Sequence, residues 1–296
     1  MLLLLLLADL PPATDLLPRS DEQLVGISPV PLLTGRPGKW DVAIRERGWI
    51  VREDGRYRLW YTGYDGTRRG IKRIGHAVSD DGVRWTRQPD GPITPEGLWV
   101  EDVCVVRDGS RYQMFAEGRG DQAHRLSSDD GLDWNPEGPL DVRLTDGSPI
   151  PPGPYGTPCV VRDGDSWVLL YERRDAGVWV ARSPDMDVWT NVSDDPVFEP
   201  SGEGWDAKLI AFNQVLRTRD GWLAVYHGTD RLQKPRLWAV GVATSSDLLS
   251  WTRLRSRPLT PPVLNMSSGV VVLDTDDDVR WFTTHSRVDQ IGVVEN

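Results

Sequence analysis

An all-β fold, a five-bladed β-propeller of four-stranded antiparallel blades, is what this sequence predicts, and three observations carry the prediction. A strand-turn-strand pattern recurs four times. A Trp closes a second, turn-marked hairpin about every 50–60 residues. Few stretches carry the apolar period of a helix. Four-stranded units at this period, closed into a ring that hides the sheet edges, describe a propeller. The composition agrees: 14 Trp, 29 Gly and 23 Pro in 296 residues suit short strands and many turns.

The first hairpins run Trp49–Gly63, Cys104–Gly118, Cys159–Arg173 and Val215–Gly228. Each reads as an apolar strand, an Asp-Gly turn and an alternating aromatic strand. The second hairpins cover Ile74–Trp85, Leu126–Trp134, Val180–Trp189 and Val242–Trp251. Their Ser and Asp side chains bond the turn backbone, and Gly supplies positive φ. Asp81, Asp130, Asp187 and Asp247 are therefore expected to build turns, and the Trp residues to pack between blades.

A fifth unit, Gly269–Asp274, Val279–His285 and Gln290–Val294, shows only three strands. Its fourth is expected from the N-terminal segment, either the six leucines after Met1 or the Leu24–Leu33 stretch. Residues 1–39 thus read as an N-terminal segment and 40–296 as one propeller domain. The leucine run reads equally as the remnant of a secretory signal, although the usual basic region is missing, so the compartment stays open.

Several partners are disfavoured. A net charge of -10 argues against nucleic acid, and no apolar run is long enough to span a bilayer. Cys104 and Cys159 share one place in the repeat and are expected to be small buried strand residues. There is no P-loop, dinucleotide fingerprint or metal-spaced His/Cys set, so neither a cofactor nor a metal is expected. His76 and His124 fall on outer strands.

In a propeller blade the innermost strand runs along the central channel and the second returns beside it. The start of the first and the end of the second therefore meet at one channel mouth. First-strand starts bring Asp41, Glu46, Glu101, Asp102 and Thr157 there, followed by Asp206, Lys208 and Asn213. Second-strand ends add Tyr64, Glu117, Arg119, Glu172 and Arg173, followed by Tyr226, His227 and His285. Ionisable groups this concentrated shift one another's pKa values, as acid–base sites require. Carboxylates among aromatic rings suit a sugar, and glycosidases use a carboxyl pair at the scissile bond. Lys208, His227 and Arg173 form a modest anion-binding set. Trp40-Asp41 and Trp205-Asp206 precede their strands by similar distances, and read either as a repeated blade feature or as carboxylates at the mouth.

Trp60–Asp65 and Ser79–Thr86 resemble the five-bladed glycoside hydrolases of families 32, 43 and 130. The likeness is strongest to family 130, the β-mannoside phosphorylases and related hydrolases. Lys208, Gly221-Trp-Leu223 and Tyr226-His-Gly228 resemble its fourth-blade pattern, and Glu101-Asp102-Val-Cys104 matches part of its Glu-Asp-Pro-Arg. The resemblance implies Asp102 as proton donor of an inverting mechanism, with phosphate held near Lys208 and His227. The Val-Cys departure, and Tyr155-Gly-Thr-Pro158 where the family carries basic residues, favour water over phosphate. The expectation is an exo-acting hydrolase of an oligosaccharide or glycoside, with Asp102 as acid. Glu101, Glu117, Glu172, Asp41 and Asp206 are its candidate bases or sugar clamps. An inverting phosphorylase and a non-catalytic sugar-binding propeller are the alternatives.

Overall fold

The computed structural model describes residues 10–19, 22–25, 30–150, 155–274, 278–284 and 287–294. Five separate sheets follow one another along the chain. The first contains β1 (Ala43–Ile44), β2 (Trp49–Glu53), β3 (Arg56–Tyr64), β4 (Arg73–Ser79) and β5 (Thr86–Arg87). The second contains β6 (Val100–Asp108), β7 (Arg111–Gly118), β8 (Gln122–Ser128) and β9 (Asn135–Pro139). The third contains β10 (Asp141–Arg143), β11 (Gly156–Asp163), β12 (Ser166–Glu172), β13 (Val178–Ser183) and β14 (Val188–Asn191), with β10 running parallel to β14. The fourth is β15 (Leu209–Thr218), β16 (Gly221–Thr229), β17 (Ala239–Ser245) and β18 (Thr252–Arg253). The fifth is β19 (Val270–Leu273), β20 (Val279–Thr283) and β21 (Asp289–Val294). The innermost strands β2, β6, β11, β15 and β19 pack in succession, and β19 returns to β2. The fold is the five-bladed propeller the repeat predicts.

The outer turns show why the repeat carries Ser and Asp. Ser79 Oγ accepts the Gly82 amide at 2.9 Å, while Asp81 Oδ1 accepts the amides of Val83 at 2.9 Å and Arg84 at 2.7 Å. Ser128 with Asp130 and Ser245 with Asp247 repeat this pattern. The third blade corrects the register read from the sequence. There the turn builder is Asp185, two residues after Ser183, and Asp187 instead receives Arg125 at 2.8 Å. Neighbouring blades grip these turns. Arg280 donates to the Asp81 carbonyl at 2.7 Å, Arg58 to that of Asp130 at 2.8 Å and Arg125 to that of Met186 at 2.8 Å. Trp85 meets Phe282 of the fifth blade and Trp189 meets Phe115 of the second, each edge to face, whereas Trp251 meets Phe212 of its own blade.

Among the described residues the fifth blade has three strands. Leu33 and Val288 form an isolated antiparallel bridge, with the Leu32 amide donating to Val288 at 2.8 Å. The Leu24–Leu33 stretch thus contributes one bridge rather than a full fourth strand among the described residues, and the six leucines lie outside them. Upstream, Trp281 Nε1 donates to the Leu16 carbonyl at 2.9 Å, and Leu16, Leu17 and Leu24 share an apolar cluster with Val271, Trp281 and Ile291. Cys104 and Cys159 are buried free thiols on adjacent inner strands, and the Val160 amide donates to Cys104 Sγ at 3.3 Å.

Candidate active site

The inner strands of the second, third and fourth blades each break register at the channel mouth: between Glu101 and Cys104, Gly156 and Cys159, and Phe212 and Gln214. A bulge at such a point re-aims the side chain it carries. Asp102 (φ 55°) and Thr157 (φ 45°) take left-handed backbone there, and Arg47 (φ 59°) does so at the same place ahead of β2. That conformation is unfavourable for all three, most of all for β-branched Thr157, and such strain gathers at functional sites. The three side chains meet. Arg47 Nε lies 3.4 Å from Asp102 Oδ2, and Arg47 Nη1 donates to Thr157 Oγ1. The Thr157 amide donates to Glu117 Oε2 at 2.9 Å.

The second strands complete the cluster. Glu117 on β7 pairs across from Glu101, and Glu172 on β12 from Gly156. A methyl group at Gly156 would come within 2.5 Å of both Glu117 Oε2 and Glu172 Oε1, so the two carboxyls converge where only glycine leaves room. Glu172 also accepts the Asp175 amide. On β16, His227 is buried, with Nδ1 2.8 Å from Asn213 Oδ1 and Nε2 3.8 Å from Asp175 Oδ1. Asp102, Glu117, Glu172, His227 and Glu46 line one cavity of about 770 Å³ with Arg47, Lys234 and Arg236.

Burial governs the electrostatics. It pushes the Asp102 carboxyl well above the usual range, against Arg47 and with the help of Glu101. Glu117 is pushed well up in the same way, by burial and then by the Asp102 charge. Burial and Asp175 push Glu172 up to about 7. Glu101 is raised by burial despite Arg45 and Lys72. Burial also acts to raise Asp175, but its interaction with the nearby His227, then the Arg47 and Arg236 charges, hold it low. Burial, then Arg47, lower the His227 value and favour the neutral ring. Asp102 Oδ1 is buried with no hydrogen-bond partner among the described residues. Among these residues no group of three or more His, Cys, Asp or Glu is disposed to hold a metal ion.

Other residues expected at the mouth are placed differently. Asp41 is fully buried in the first blade, accepting Tyr61 OH at 2.9 Å, Arg87 at 2.7 Å and Arg36 at 2.9 Å. Asp206 repeats this in the fourth blade, accepting Tyr226 OH at 2.9 Å and Arg253 at 2.7 Å. Trp40 stacks on Tyr61 and Trp205 on Tyr226. The two Trp-Asp dipeptides are therefore blade supports, and Asp41, Asp206 and Tyr226 do not line the cavity. Lys208 is exposed outside it, and Arg173 lies over Trp179. Glu101 does not line the cavity but is paired with Arg45, which does. Tyr64 and Arg119 do not line the cavity and pack against Lys72 and Trp99 respectively. His285 lies outside the described residues.

Sequence reasoning missed Arg45, Arg47, Asp175, Lys234, Arg236 and Trp238. Arg45 and Arg47 flank Glu46, so the register had already reached them. Asp175 lies three residues beyond Glu172. Lys234–Trp238 belong to the connection between β16 and β17, which lies between the aligned segments of the repeat.

No protein-family model matches the chain. The 1,2-β-oligomannan phosphorylase of Thermoanaerobacter sp. (strain X514) is 28% identical over 227 residues, covering 71% of this chain and 72% of that protein. The β-1,2-mannobiose phosphorylase of the same strain is 24% identical over 227 residues, covering 66% and 64%. A solved structure, from work on glycoside hydrolases within the GH130 family of mannoside phosphorylases that target β-1,2 mannosidic linkages in Candida mannan, superposes with a TM-score of 0.75 at 16% identity, over 93% of this chain and 94% of that one. Repeat and fold make the chain a five-bladed propeller, similar in sequence to two phosphorylases of mannosides and in fold to a GH130 structure, which supports a glycoside-processing enzyme.

Proposed function

We propose that the chain is an inverting glycoside phosphorylase acting on a β-mannoside, with Asp102 as the proton donor. One observation carries the reading. A buried carboxyl with a raised pKa and an unpartnered oxygen lines the same cavity as Lys234, Arg236 and His227. Arg236 lies over Trp238 and its charge helps hold Asp175 ionised, and with Lys234 it brings positive charge to the cavity where a phosphate would sit. Protonated Asp102 donates to the glycosidic oxygen as the bond to the anomeric carbon breaks. A phosphate oxygen attacks that carbon from the opposite side, giving an inverted sugar 1-phosphate and a shortened glycan. Phosphate arrives already anionic, so no general base is required. The relatives' names support this reading above hydrolysis.

Hydrolysis is the second reading, favoured by Glu172. A carboxyl pushed up to about 7 and lining the same cavity as the acid could activate a water. The deciding experiment is a panel of β-mannosides and other glycosides incubated with and without inorganic phosphate. Phosphate-dependent release of a sugar 1-phosphate is the expected result. Equal release of free sugar in both arms establishes hydrolysis instead, and no turnover of any glycoside leaves a sugar-binding propeller.

A further inference from the structure

A second pocket is lined by residues that neighbour Glu101 and Glu117 in sequence, and its charge is opposite to that of the whole chain. Arg68 and Arg69 come from the loop after β3, Trp99 from just before β6, and Arg119 from the end of β7. With Gly120 they enclose about 620 Å³. The Arg119 guanidinium lies 5.7 Å from the centre of the Trp99 ring. None of the three arginines is paired with a described carboxylate, in a chain with 44 acidic and 34 basic residues. Three like charges brought together without acids repel one another, and an anion relieves that repulsion.

The pocket is anchored to the funnel. Asp65 fixes the arginine loop by accepting the Thr67 amide and hydroxyl, both at 2.8 Å. Trp99 stands two residues before Glu101, and Arg119 two residues after Glu117. Two residues of extended chain span roughly 6.6 Å, about the length of one sugar residue. Lys72, 3.3 Å from the centre of the Tyr64 ring, links the two regions, and its carbonyl accepts the Val100 amide.

We infer that this pocket is a subsite for an anionic sugar in the glycan, one residue away from the bond being cleaved. Trp99 supplies an aromatic wall, and the arginines supply paired donors to a phosphate ester or a uronate carboxylate. The inference rests on the funnel being a glycoside site.

The test is calorimetric titration of the full chain and of a double variant, R68Q/R69Q, with mannose 6-phosphate, glucuronic acid, mannose and inorganic phosphate. The expected result is that at least one anionic sugar binds about tenfold or more tighter than mannose, roughly 1.4 kcal/mol. That advantage should disappear in the double variant and shrink as salt is raised. Whichever anionic sugar shows the effect identifies the group. Anionic sugars that bind no tighter than mannose, or a double variant that keeps the advantage, overturn the inference. So does inorganic phosphate matching mannose 6-phosphate in affinity and in its loss from the variant, since the patch then recognises an ion and not a sugar. Binding does not require turnover. Arginine-dependent binding in a chain that cleaves no glycoside sinks the proposed reaction and keeps the subsite, while turnover of neutral mannosides without any anionic preference does the reverse.

Discussion

Arg47 and Asp102 hold the same place in consecutive blades, two residues before Trp49 and Cys104, and meet with Nε 3.4 Å from Oδ2. Both have left-handed backbone, so a single conformational feature of the repeat turns a cation and an acid towards each other. Burial works against the charge on each. The Arg47 cation is maintained by Asp102, Glu46 and Glu117, while Asp102 is still drawn towards its protonated form. Asp102→Asn keeps the shape and removes the transferable proton. Turnover is expected to fall about 10²–10⁴-fold while binding of product sugar persists, as seen by kcat at saturation and by calorimetry. A variant that retains turnover excludes Asp102 as the donor.

Gly156 tests the carboxyl pair from the opposite direction. The glycine is needed here because a side-chain carbon would collide with Glu117 Oε2 and Glu172 Oε1. Gly156→Ala is expected to push these groups apart and cost about 1–3 kcal/mol. Activity of the folded enzyme should fall as well, because both carboxyls face the cavity. Urea unfolding and kcat/KM on the same preparation separate the two effects. Full activity with unchanged stability would show that the pair has room to move.

The propeller was legible because its signals are local and repeated. An Asp-Gly turn and a Ser-x-Asp turn each depend on a few adjacent residues, and four copies fix the register. The same register brought Asp102, Glu117, Glu172 and His227 to one cavity. It could not separate Asp41 and Asp206 from them, because a carboxylate before an inner strand reads alike whether it enters the channel or bonds a Tyr and an Arg inside the blade. That distinction depends on Arg87 and Arg253, which lie 46 and 47 residues downstream. Lys234 and Arg236 were invisible for another reason: they stand between the aligned segments, in a connection whose length and sequence differ from blade to blade.

Asp206 gives the matching structural prediction. Its carboxylate accepts Tyr226 OH and Arg253 within a buried wall, and the Ser201 hydroxyl at 2.6 Å. Asp206→Ala leaves Arg253 facing an uncompensated site, which is expected to cost about 3–5 kcal/mol of stability. The defect should appear in the unfolding midpoint, with kcat per folded molecule maintained. Loss of kcat without loss of stability would return Asp206 to the reaction.

Glu172 links the cavity to pH. Its folded value of about 7 lies above the 4.5 of an ordinary glutamic acid, because burial and Asp175 disfavour the anion. Between those values the folded chain keeps a proton that the unfolded chain has released. The stabilisation from this group is therefore complete below about pH 4.5 and is lost as pH rises through about 7, a change of about 3 kcal/mol at most. Asp102 and Glu117 shift in the same direction, while Asp175, held low, opposes them. Glu172→Gln removes one titrating group and retains an oxygen for the Asp175 amide. Urea unfolding of both proteins at about pH 5 and about pH 8 should show the variant gaining on the wild type towards the higher pH. A stability difference that stays constant across that range would mean that Glu172 is already ionised in the folded chain, which would remove it as the group that holds a proton beside Glu117.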